Sequence, residues 1–306
     1  MDPADESASA TRNAELACVV LAHDQPDQLH RLLAALDPLP VFLHVDARTP
    51  DPVAAAMTRD LPERVRLLPR VATAWATFGA VQAELAGYRA AVAETSATHV
   101  ALLSGSDYPL LSTADLRAVL TPLIGRSITY VAPLPIPQWG MSGGLGRLRY
   151  YHWAWRRHVI RLPIPRRLPR GLSLAGGPTQ KVLAREHADA VVRAVDRRPE
   201  LVRFWRRAWA PDETFVATLL STPSLVPGYA DHHLHELAWL IDWRQANIKG
   251  PPWLTMEHLP FLQEGRTVPA GSLPKLFARK FHSTLSAELL DAVDALRQEP
   301  LRTTPA

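Results

Sequence analysis

The stretch Glu15-Leu-Ala-Cys-Val-Val-Leu-Ala22, followed by His23-Asp-Gln-Pro26, reads as an apolar strand running into a polar turn. Asp27 then caps a helix whose Leu29, Leu32, Leu33 and Leu36 recur at helical spacing. Val41 to Val45 is a second short strand, closed by Asp46. The alternation continues outward from this unit. A strand is expected over 65–68 and a helix over 78–94, with Val81, Leu85, Tyr88 and Val92 on one face. A buried strand over 98–103 and a helix over 113–123 follow. Strands alternating with helices predict an α/β fold with a central, mostly parallel sheet flanked by helices. In such sheets ligands gather beyond the carboxyl ends of the strands. His23, Asp46 and Asp107 each follow an expected strand, so the topology can bring them to one crevice.

The second half changes character. Residues 133–178 are rich in proline and glycine and are expected to form a long irregular segment, an acceptor-side loop or lid. Helices are expected over 180–195 and from 212 to 220, and a terminal amphipathic helix over 287–297; periodicity leaves 234–243 open between strand and helix. The chain reads as one domain over 15–297, with a donor-side half (15–125), an acceptor and catalytic half (126–297) and tails at 1–14 and 298–306. The single cysteine, Cys18, cannot form an internal disulfide and fits a reducing compartment. No run approaches the roughly 18 apolar residues of a membrane span. The first residues lack the basic-then-apolar order of a signal peptide, and together these features read as cytoplasmic.

Two short elements carry the chemistry. Pro211-Asp212-Glu213 offers a carboxylate in the first turn of a helix, and Arg279-Lys280-Phe281 offers a pair of cations. A carboxylate can take a proton from an attacking hydroxyl. Paired cations can receive the charge of an anionic leaving group.

These elements, with Val20-Leu-Ala-His23, Leu43-His-Val-Asp46, Ala74-Trp75, Gln82-Ala-Glu84, Leu102-Leu-Ser-Gly-Ser-Asp-Tyr-Pro109, Ile241-Asp-Trp243 and Leu276-Phe-Ala-Arg-Lys-Phe281, stand in an order that resembles one family. It is glycosyltransferase family 14, the mucin-branching β-1,6-N-acetylglucosaminyltransferases and peptide O-xylosyltransferases. The resemblance spans about residues 15 to 297 and suits a bacterial-type relative, since the family's luminal cysteines and anchor are missing. It implies a GT-A type Rossmann-like fold, a UDP-sugar donor (GlcNAc, xylose or glucose) and transfer with inversion to a hydroxyl-bearing small molecule or glycan. Glu213 matches the family's base. Lys280 matches a cation that replaces the usual metal at the diphosphate, with Arg279 beside it. Lys249 matches a second such cation, so no metal cofactor is expected. Asp46, His23 and Trp75 match the nucleotide pocket, and Asp107 is placed to hold a sugar hydroxyl. Trp243 matches an acceptor-stacking aromatic, with Gln245 at the next contact position and Arg147 and Arg149 on the acceptor side.

Rival readings rest on other residues. Asp231, His233 and His235 share a strand face and have the donor types of a metal-dependent hydrolase. A glycosidase would use two carboxylates, but no partner to Glu213 stands out. Residues Arg147 to Arg170 hold eight arginines and no acid, interleaved with Tyr150, Tyr151, Trp153 and Trp155, which is the composition of a nucleic-acid binder. An exposed, solvated loop is the simpler outcome of such a block.

Overall fold

The structure, a computed structural model, describes residues 13–155, 158–244, 250–269, 272–301 and 303–304. The first part runs β1 (Leu16–Ala22), α1 (Pro26–Ala35), β2 (Val41–Val45), α2 (Asp51–Met57), β3 (Val65–Leu67), α3 (Phe78–Glu94), β4 (His99–Ser104), β5 (Asp107–Pro109) and α4 (Thr113–Leu120). Next come β6 (Ser127–Thr129), β7 (Ala132–Pro133), α5 (Leu145–Arg149), β8 (Tyr150–Trp155), β9 (His158–Pro165), β10 (Ala175–Gly176), β11 (Lys181–Ala184), α6 (Arg185–Arg197), α7 (Pro199–Trp205) and α8 (Phe215–Leu220). The chain closes with β12 (His233–His235), β13 (Trp239–Ile241), α9 (Leu259–Arg266), β14 (Val268–Pro269), β15 (Phe277–Arg279), α10 (Ala287–Leu296) and β16 (Thr303–Thr304).

The central sheet has seven strands in the order β12-β6-β11-β4-β1-β2-β3. β1 pairs in parallel with both β2 and β4, and β11 alone runs against its neighbours β4 and β6. The chain leaves β1, builds β2 and β3 on one side, then crosses to β4 on the other. That reversal opens a crevice at the carboxyl ends of β1 and β4. Leu16, Cys18, Val20 and Ala22 pack into an apolar layer with α1, α4 and α10, while Ala17 and Val19 face α3, α6 and α8. Each fully buried leucine in these layers contributes about 2 kcal/mol by apolar area removed from water. Gly87 lets α3 lie directly on β1, because a Cβ there would sit 2.2 Å from Val19 Cγ1.

A second sheet, β13-β15-β5, ties the C-terminal part to the first half. β15 runs antiparallel to β5 with Arg279 opposite Asp107, and parallel to β13 with Ile241 opposite Arg279. α10 then docks on the opening unit. Arg31 bridges Asp291 and Asp294, and Arg297 donates to the carbonyls of Leu111 (3.1 Å) and Ala35 (2.6 Å).

Several expectations are corrected. α1 starts at Pro26, so Asp27 lies in its first turn and Gln25 takes the cap position. Residues 181–184 form a strand, because pairing with β4 and β6 overrides any local helical preference in so short an apolar run. The segment 133–178 contains α5 and the β8–β9 hairpin, ordered by cross-strand pairing. Residues 234–243 resolve into β12 and β13, separate strands in different sheets. Residues 303–304 of the expected C-terminal tail pair with β14, while most of the expected N-terminal tail (1–12) lies outside the described residues. Among the described residues no helix is long and apolar enough to cross a membrane.

Candidate active site

The crevice at the ends of β1 and β4 contains a cavity of about 180 Å³ lined by His23, Gly105, Ser106, Trp253, Arg279 and Lys280. Lys280 lies with Nζ 4.0 Å from the centre of the Trp253 ring. Burial, with Arg279 next to it, lowers the Lys280 pKa, and Asp24 opposes that shift. A cation held against burial and a like charge gains from an arriving anion. Beneath the wall, Asp107 is fully buried and sits 3.4 Å from Arg279 Nε. Its oxygens accept from Ser104 N (2.9 Å), Ser104 Oγ (2.8 Å) and Trp239 Nε1 (3.1 Å). Burial pushes its carboxyl up, against the pull of Arg279 and these donors.

His23 also borders a second cavity, about 200 Å³, with Leu21, Thr73, Trp75 and Asp212 on its walls. The Thr73–Ala76 loop is fastened by Asp46, which accepts from Arg48 N, Thr73 N and Thr73 Oγ1 at 2.8, 3.1 and 2.7 Å. Burial raises the Asp46 pKa, but these donors outweigh it and the carboxyl ends below its ordinary value. Asp212 accepts from Thr179 Oγ1 at 3.2 Å through one oxygen, while its Oδ1 is closed from solvent without a partner. Burial first, then the neighbouring Glu213 charge, pushes Asp212 up to about 6.

Trp75 leads to a third and larger cavity, about 420 Å³, lined by Trp139, Arg147, His152, Arg161 and Trp209. Arg147 lies over the Trp139 ring at 3.9 Å and the Trp209 ring at 5.0 Å, and pairs with the carboxylate of Glu213. Glu213 ends a short 3-10 turn (Pro211–Glu213), whose position is fixed by backbone contacts. Gly177 N donates to Glu213 O at 2.9 Å, and Ala210 N to Ala76 O at 3.3 Å. Ala76 and Ala210 both adopt left-handed backbone (φ 59° and 46°), at a cost of about 1 kcal/mol each. A Cβ on Gly176 would fall 2.5 Å from the Trp139 ring, so only glycine lets this wall close.

Over residues 19–259 the sequence matches the family described as Core-2/I-branching enzyme. The chain belongs to that family. Xylosyltransferase 2 of Rattus norvegicus, of Mus musculus and of Homo sapiens is each 26% identical over 208 residues, covering 63% of this chain and 22% of the relative. The chain thus spans about a fifth of the length of these curated relatives. Among solved structures, HddC from Yersinia pseudotuberculosis aligns with a TM-score of 0.29 at 11% identity, over 56% of this chain and 78% of that one. An overlap that low carries no argument here. The matched family is one of enzymes, and the match covers most of this chain.

This Core-2/I-branching family member draws its expected site residues together only in part. Arg279, Lys280 and His23 share the cationic cavity, and His23 and Trp75 border the second. Arg147 stands against Glu213. Four others stand apart from these cavities. Asp107 and Asp46 are buried struts that hold Arg279 and the Thr73 loop, and neither lines a cavity described above. Arg149 is exposed on the last turn of α5, away from the cavity that Arg147 lines. Trp243 is 57% exposed two residues beyond Ile241, the partner of Arg279, so it stands at the cationic end and lines none of the three cavities. Lys249 and Gln245 lie outside the described residues. The hydrolase reading fails on geometry: Asp231, His233 and His235 do not gather, and among the described residues no such group could hold an ion. His233 instead stacks on Tyr229, with ring centres 4.5 Å apart. Sequence reasoning missed Asp212, Trp139, Trp209 and Trp253 as walls of the site. The Trp139-Gly140 pair inside a proline- and glycine-rich segment was the available signal.

Proposed function

We propose that the protein transfers a sugar from a UDP-sugar to a hydroxyl of a small-molecule or glycan acceptor, with inversion and without a metal. The observation that carries this reading is the run of three adjoining cavities, joined through His23 and Trp75, with Arg279 and Lys280 at one end and Arg147, paired with Glu213, at the other. The diphosphate sits at the cations, where charge develops as the anomeric carbon–oxygen bond breaks. The family resemblance adds Lys249 to the residues that bind the diphosphate. The sugar occupies the middle cavity beside Trp75 and Asp212. The acceptor enters the third cavity, and its hydroxyl displaces Arg147 as the partner of Glu213. Glu213 takes the hydroxyl proton while the oxygen attacks the face of the anomeric carbon opposite the leaving UDP. The tryptophans at the cavity mouth offer the flat faces on which sugar rings stack.

Calorimetric titration with UDP in EDTA, repeated with added manganese, tests the donor side. Binding in EDTA that manganese leaves unchanged is expected, whereas binding only with manganese would overturn the metal-independent reading. Glu213→Gln is expected to lower turnover by at least about a thousandfold with UDP affinity retained. Near-normal turnover by that variant would remove Glu213 from the reaction.

A further inference from the structure

The β8–β9 hairpin has two dissimilar faces. Its register pairs Tyr151 with Leu162 and Trp153 with Ile160, so these side chains stand together on one face, with Ile164 two residues further along. All five are exposed, between 39% and 53%. The other face is committed to the site: His152 is buried and stacks on Trp209 with ring centres 6.3 Å apart, and Arg161 lines the third cavity. An apolar patch of this size on a two-stranded sheet marks a binding surface.

Its rim is basic. Arg207 lies 4.1 Å over the Trp153 ring, Arg166 lies 5.0 Å over the Tyr151 ring, and Arg167, Arg170, Arg203 and Arg206 are at least partly exposed nearby in sequence. No acidic residue occurs between Arg147 and Arg170. We propose that this face docks on an anionic lipid surface. Trp153 and Tyr151 would lie at headgroup depth, Ile160, Leu162 and Ile164 in the acyl boundary, and the arginines on lipid phosphates. Aliphatic side chains gain nothing from a phosphate backbone, which disfavours a nucleic acid as the occupant. A second copy would bring the same arginines face to face, which disfavours self-association. The inference is independent of the transfer reaction.

Co-sedimentation of the full chain with phosphatidylcholine vesicles, with and without phosphatidylglycerol, tests it. Binding to the anionic vesicles is expected, weakening with salt and falling about tenfold in Trp153→Ser/Ile164→Ser and in Arg167→Glu/Arg170→Glu. UDP affinity and the melting temperature report whether these variants stay folded. If the apolar variant unfolds, Ile164→Cys carrying an environment-sensitive dye replaces it. Cys18 is buried, so labelling is selective, and a blue shift on anionic vesicles is expected. No binding to anionic vesicles would overturn the proposal, and so would binding that both pairs of substitutions leave unchanged. Equal binding to RNA that ignores the apolar substitutions would reduce the hairpin to an electrostatic patch. Dimerisation lost in those variants without any vesicle binding would assign the face to a second copy.

Discussion

Glu213 has a guanidinium against it, whereas Asp212, one residue earlier, has an oxygen shut from water with no partner. Two adjacent carboxylates thus have opposite surroundings, and pH separates them. The folded pKa of Asp212, about 6, lies above its unfolded value of roughly 3.9. Ionising it therefore costs more in the folded state. Its contribution to stability is intact below about pH 4, falls as pH rises toward 6, and is constant above that. Asp212→Asn keeps the shape and removes the charge. The variant is expected to be about 2 kcal/mol more stable than the parent near neutral pH and equal to it near pH 4. Urea unfolding at both values checks this, and an identical difference at the two would show that Asp212 does not titrate in this range. If the middle cavity needs the carboxylate to hold a sugar hydroxyl, the same variant raises KM for the donor while becoming more stable.

Lys181 on β11 and Glu84 on α3 form the buried pair that joins sheet to helix behind the site, 2.9 Å apart and 4% and 1% exposed. Tyr88 also donates to Glu84 (2.8 Å), and the Glu84 charge reaches Asp212. Lys181→Met leaves the buried Glu84 carboxylate without its cation and is expected to cost about 3–5 kcal/mol. Adding Glu84→Gln should recover most of that loss, since an uncompensated charge is worse than none. Chemical denaturation of the two single variants and the double decides it, and additive losses would argue against coupling. The same elements show what the sequence made legible. α3 was read to the residue because over 17 residues Val81, Leu85 and Tyr88 recur on its buried side. β11 was missed because four residues, three of them apolar, have no distinguishable period, and its partner β4 lies some eighty residues away. The hairpin was missed because its prolines and glycines suggested a loop, while its pairing is set across strands. At the site, the family resemblance pointed to Glu213, Arg279 and Lys280, and the structure sets the two cations together in one cavity. Asp46 and Asp107 were correctly placed at strand ends, and in the structure both side chains are buried beneath the cavities. Sequence shows that a carboxylate follows a strand, not whether it points into the crevice or beneath it.

At the scale of the whole molecule, the cationic cavity is assembled from both ends of the chain. His23 and Asp24 come from the turn after β1, whereas Arg279 and Lys280 come from the end of β15, and the two cross the division drawn near residue 125. Ser283 N donates to Gln25 Oε1 at 3.0 Å, directly linking these segments. α10 holds the C-terminal part in place through Arg31 and Arg297. A nucleotide bound in this cavity therefore reports on the integrity of the sheet and of its C-terminal clasp together. Two independently folding halves would lose the site when either one melted, so the ligand would move only the transition that first destroys it. A single cooperative unit would shift as a whole. UDP at about a hundred times its Kd adds about 2.7 kcal/mol to the folded state, which for a chain of this size raises the melting temperature by several degrees. Calorimetric melting is expected to show one transition, with all of it displaced by UDP and the displacement growing with the logarithm of ligand concentration. A second, unmoved transition would mean that the halves fold separately, and that the Arg31 and Arg297 contacts dock two domains.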